Sequence, residues 1–193
     1  APALPGQTYV GSVDAFLRRY DADGALLWTR QFGTTSGDAA DVLAINVNGN
    51  ILVAGQTSGM LAGTVWAGAS DVFVRAYGAD GELLWTRQFG TAENDGVSGI
   101  SIGVDGFYVA GWTNGALNGQ QSVGMRDAFL TWLDTDGVVL GVRQFGSSTN
   151  DESADVAFGA DGHVLIAGTT AGALPGQTTA GGIDAFIVRF PAW

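Results

Sequence analysis

The sequence predicts an all-β fold of repeated four-stranded antiparallel meanders, in the manner of β-propeller blades: three blades plus one extra strand. Three observations predict it. One phrase is written three times, as "DADGALLWTRQFG" at 21–33, "GADGELLWTRQFG" at 78–90 and "DTDGVVLGVRQFG" at 134–146. "DAF" or "DVF" recurs at Asp14, Asp71, Asp127 and Asp184, at spacings of 57, 56 and 57 residues. No stretch carries a helical period, while short alternating segments separated by Asp-Gly and Asn-Gly recur throughout.

The elements follow in order within the first repeat. Phe16, Arg18 and Tyr20 alternate with Ala15, Leu17 and Arg19, the period of two expected of a strand. "DADG" turns the chain, because Gly supplies the positive φ of a tight hairpin. "ALLWTRQF" is the second strand, and a Ser/Gly/Asp loop follows it. "DVLAINV" is the third, "NG" at 48–49 is the next turn, and "NILVAGQT" is the fourth. A longer Gly-rich connection, 58–70, leads to the next "DVF" and reads as the crossover to the next blade. Regularity of this kind marks a repeat architecture. The chain is read as one repeat domain, 1–193, with units 14–70, 71–126 and 127–183 and a partial unit 184–193.

"DAFLRRYDADGALLWTRQFGTTSGD" and "ILVAGQT" resemble the SBBP repeat, a propeller-type repeat of large bacterial extracellular proteins. The resemblance covers essentially the whole chain. It implies a propeller and a surface location, and it implies no catalytic residues. The third unit departs from the motif, with Gly141 in the place of Trp28 and Trp85 and Thr131 in the place of Arg18 and Arg75.

Composition narrows the function classes. Eight basic residues, all arginine, face nineteen acids for a net charge of −11. Such a chain repels nucleic-acid backbones and anionic membrane surfaces. No apolar run reaches the roughly 18–20 residues of a membrane-spanning helix. With no cysteine there is neither a disulfide nor a thiolate metal site. An acidic, lysine-free, Gly/Thr/Ser/Asn-rich chain suits an extracellular or cell-surface bacterial protein, and "APALPG" reads as a processed end.

Each chemical constellation has a plainer reading. "DADG" and "DTDG" offer paired carboxylates of the kind calcium favours. The second unit lacks the first Asp, however, and hairpin chemistry explains all the turns, so no metal or other cofactor is expected. Asp38, Asp95 and Asp151 recur in the loop after "QFG" and should bond local backbone N–H groups. Arg30, Arg87 and Arg143 are candidates to pair with those acids. Trp28 and Trp85 should pack between blades. Trp66, Trp112, Trp132 and Trp193 are unique to their units and suit either a sugar- or protein-binding surface or a local core. His163 reads as a surface residue at a turn, and nothing breaks the repeat in the way a catalytic site would. No enzyme is expected.

The partial unit carries the functional expectation. "GGIDAFIVRFPAW" starts a fourth repeat, leaving a thirteenth strand whose partners are expected to lie outside the chain. Unpaired strand edges recruit other chains. The leading expectation is a secreted or surface structural protein that self-assembles head-to-tail into a filament or ring, with Phe186, Ile187, Val188, Phe190 and Trp193 at the interface. The alternative is an adhesin or lectin-like module presenting loops 58–70, 114–126 and 171–183 to a glycan or protein.

Overall fold

The structure, a computed structural model, describes residues 3–193. Thirteen strands and no helix are found there: β1 (Ala15–Tyr20), β2 (Leu26–Phe32), β3 (Asp38–Ile45), β4 (Ile51–Thr57), β5 (Asp71–Tyr77), β6 (Leu83–Phe89), β7 (Asp95–Ile102), β8 (Gly106–Thr113), β9 (Asp127–Asp134), β10 (Val139–Phe145), β11 (Asp151–Phe158), β12 (His163–Thr170) and β13 (Asp184–Pro191). All strand pairs within the sheets are antiparallel. The predicted all-β, blade-like repeat is the fold of this chain.

The strands are grouped two out of phase with the sequence units. The sheets are β1-β2, β3-β4-β5-β6, β7-β8-β9-β10 and β11-β12-β13. Each complete sheet therefore takes its first pair from one repeat and its second pair from the next. The long connection 58–70, expected to be the crossover, instead joins β4 to its neighbour β5. The short loop after "QFG" passes from sheet to sheet. It can be short because the next sheet starts alongside the preceding connection, through the parallel bridges Val13↔Gly37, Ser70↔Asn94 and Arg126↔Asn150. The first strands of successive sheets, β3, β7 and β11, then lie against one another.

The expectation that the thirteenth strand has no partner in its own chain is corrected. β13 pairs with β12 along its whole length, from Thr170↔Asp184 to His163↔Pro191. Phe186, Val188 and Phe190 alternate onto the face that meets the preceding sheet, where they join a cluster with Phe145. Fully burying a side chain such as Phe186 is worth roughly 1.5–3 kcal/mol, and the half-buried Val188 and Phe190 add part of that to the ladder with β12.

Every inner sheet is apolar on both faces. Leu52, Ala54, Val72, Val74 and Ala76 of β4–β5 face forward onto Phe107, Val109, Phe129 and Leu133 of β8–β9. The alternate residues Ile51, Val53, Phe73 and Tyr77 face backward onto Ala15, Leu17 and Phe32. The same alternation stacks Tyr108, Ala110, Ala128 and Leu130 on Val164, Ile166 and Phe186. This is the two-faced burial of sheets packed in series.

Candidate functional site

The hairpin turns hold their shape with their own carboxylates. Asp21 Oδ1 accepts the N–H groups of Asp23 and Ala25 at 3.0 and 2.8 Å, and Gly24 sits at φ +81°. Asp134 Oδ1 does the same for Asp136 and Val138. The sheet-to-sheet loop is fixed in the same way. Thr34 N–H donates to Asp38 Oδ2 at 2.6 Å and the Thr57 hydroxyl donates to Oδ1 at 2.5 Å, while Thr91 and Ser147 serve Asp95 and Asp151.

The arginines do not pair with these acids, and that expectation is corrected. Arg30 Nε donates to the Gly81 carbonyl at 2.6 Å and Arg87 Nε to the Gly137 carbonyl at 2.7 Å. Trp28 and Trp85 lie beside them, their indole N–H groups donating to the Ala79 and Thr135 carbonyls. The last strand of each of these two sheets, β2 and β6, thus grips the hairpin turn of the next sheet. A planar guanidinium needs acceptors, and turn carbonyls left outside the ladder supply them. The departures in the third repeat have distinct consequences. Thr131 is buried where Arg75 lies over the Phe32 ring at 4.0 Å. A Cβ on Gly141 would come within 2.7 Å of the Trp193 indole.

The five expected interface residues separate into three environments. Phe186 is buried edge-on against Phe145, and Val188 and Phe190 are half-buried on the same face. Trp193 stacks on Tyr108 and Trp132 with Arg143 over its ring, and 38% of its surface remains exposed. Ile187 points the other way and is 77% exposed. Its counterparts Leu17, Val74 and Leu130 are all buried, because each has a following sheet to pack against.

The opposite end of the array is the complement. Phe16 and Tyr20 of β1 are 56% and 51% exposed, whereas their counterparts Phe73, Tyr77, Phe129 and Leu133 are buried against a preceding sheet. Ile187 and Leu165 therefore present the forward half of an apolar interface, and Phe16 and Tyr20 the backward half.

A recurring glutamine was missed in the sequence. Gln88 of β6 accepts from Leu61 N–H at 3.0 Å and donates to Asp71 at 2.9 Å, tying the long connection to the start of β5. Gln144 makes the same two contacts with Leu117 and Asp127. The recurrence of "QFG" was the available signal, since a polar residue repeated beside an invariantly spaced Asp has a partner to meet. His163, as expected, lies at the surface, in a small cluster with Asp161 and Arg189 at the edge of β12–β13.

No family model matches the chain. The Regulatory protein FlaEY of Caulobacter vibrioides is 32% identical over 208 aligned residues, covering 92% of this chain and 22% of that relative. The chain spans about a fifth of the length of this curated relative.

Proposed function

We propose that this chain is a structural repeat scaffold, secreted or displayed at the cell surface, whose copies stack head-to-tail into a filament or ring. One observation carries the reading: the two end sheets expose, at Ile187 and at Phe16 and Tyr20, the two halves of an apolar contact that the chain buries between its own inner sheets. Surfaces of this kind are heterologous, so contacts propagate or close according to the rotation per copy. The acidic, lysine-free composition and the resemblance to the SBBP repeat support the extracellular placement. On this reading the chain carries no catalytic, metal or cofactor site.

The test is sedimentation velocity across a concentration series. The native chain is expected to associate with rising concentration. Ile187→Glu is expected to sediment as a folded monomer at every concentration, because a charge in a desolvated interface is strongly disfavoured. Val123→Glu, in an exposed loop, should associate like the native chain. Association unaffected by Ile187→Glu would refute the stacking.

A second reading, a binding module, is favoured by Val65, Trp66 and Met125, which stand exposed on loops 58–70 and 114–126. Glycan or protein binding by monomer that is lost in Trp66→Ala would favour it.

A further inference from the structure

We infer that Trp112, Asn114, Arg126 and Glu152 form a binding site for a neutral sugar, at the junction between the sheets β7-β8-β9-β10 and β11-β12-β13. The inference rests on the second reading above, a binding module, and gives it a site other than Trp66.

The four residues are spread over 41 positions of sequence, from 112 to 152, and each departs from its repeat. The same places at the preceding junction hold Gln56, Ser58, Ser70 and Gly96. In the folded chain the four departures meet. The Arg126 guanidinium lies over the Trp112 ring at 3.9 Å. Its Nε donates to Asn114 Oδ1 at 2.9 Å, which closes the connection 114–126 at its base. Its Nη1 donates to Glu152 Oε1 of the following sheet. Gly96 pairs with Trp112 across the ladder, and a Cβ there would come within 2.6 Å of the indole. Glycine at that position is what leaves room for the ring.

A contact that served only to hold two sheets together would spend its polar groups within itself. Here several are left over. Arg126 Nη2, Asn114 Nδ2, Trp112 Nε1 and Glu152 Oε2 have no hydrogen-bond partner among the described residues, and none of these atoms is buried. Three donors and one acceptor therefore reach solvent around one half-buried indole.

The chemistry of that set selects the ligand. A hydroxyl both donates and accepts, so neighbouring hydroxyls of one pyranose ring match three donors and an acceptor. The sugar's C–H face packs against an indole, which joins an apolar body to a polar N–H. A few placed polar groups beside an aromatic are what a small-ligand site needs for orientation and specificity. Arg126 and Glu152 are ion-paired and offer no net charge, while the chain as a whole carries −11. An anionic sugar is therefore repelled and a neutral one is not.

The experiment follows the indole N–H signals of the chain by proton–nitrogen correlation NMR during titration with methyl α-mannoside, methyl β-galactoside and methyl β-glucoside. The signal absent from Trp112→Gln identifies Trp112. A saturable shift of that signal is expected with at least one of the three sugars. Asn114→Ser, with a thermal melt matching the native chain, should weaken that sugar about fivefold, the worth of one hydrogen bond. Methyl β-glucuronide should bind more weakly than methyl β-glucoside, and tighter binding of the glucuronide would overturn the neutral class. A Trp112 signal that no sugar moves would overturn the site. If a sugar instead moves the signal lost in Trp66→Ala, the binding module stands and the site at Trp112 falls.

Discussion

Trp193 lies on the backbone of Gly141, stacked between it and the rings of Tyr108 and Trp132, with Arg143 4.3 Å above. In the first repeat an indole from the strand itself, Trp28, is paired with Arg30 in a similar way. In the third repeat the chain supplies that indole from 52 positions further on, and glycine at 141 is what leaves room for it. Trp193→Ala is expected to cost about 2 kcal/mol in urea unfolding, below the full core value because the ring is partly exposed. Gly141→Leu in the native chain is also expected to destabilise, since its side chain collides with the indole. The two changes together should cost less than their sum, and strict additivity would show that the residues do not share the space. The sequence displayed both oddities, Gly141 and a terminal Trp. Their meeting was not legible, because nothing in a single chain's periodicity links a gap in one repeat to a surplus in another.

At the scale of elements, thirteen strands and their turns were legible, because alternation and Asp-Gly turns are local signals. The grouping into sheets was not. A period of four strands can be cut at any of four places, and only the hydrogen bonds choose between them. The long connection 58–70 reads as the crossover, yet Leu61 and Gln88 pin it across its own sheet. Two carboxylates then give these elements opposite responses to acid. Burial pushes Asp95, at the start of β7, above its ordinary value, against the hydrogen bonds of Thr113 and Thr91 and aided by the negative charge of Asp71. Desolvation works upward on Asp161 too, but the Arg189 hydrogen bond, the His163 N–H and the nearby positive charges together hold it below its ordinary value. A raised folded-state value favours folding when protonated, so the Asp95 contribution is present at low pH and lost as pH rises through that value. The Asp161 contribution is present above the ordinary carboxylate value and lost as pH falls through the depressed one. The stability of native chain relative to Asp95→Asn should therefore improve on acidification, and relative to Asp161→Asn it should decline. Thermal melts from pH 7 to 3 would check both signs, and parallel curves for the three proteins would contradict them.

For the whole molecule, the sequence made plain that the same motif stands at Asp14 and again at Asp184. It did not reveal that β13 is already held by β12, because pairing is a property of edges and the edge of β12 is defined only once the sheets are grouped. What remains open at the two ends is one apolar face on each, with Ile187 on one and Phe16 on the other. Between the inner sheets, Val74 and Phe129, the counterparts of Ile187 and Phe16, lie in one buried cluster. The chain has no cysteine, so a single engineered pair reports contact without background. The most direct measurement is oxidation of the Phe16→Cys, Ile187→Cys double variant, read on non-reducing gels beside each single variant. Head-to-tail stacking predicts a ladder of disulfide-linked multimers from the double variant and none beyond dimer from either single one. A double variant that stays monomeric, or a ladder no longer than the dimers of Ile187→Cys alone, would contradict it.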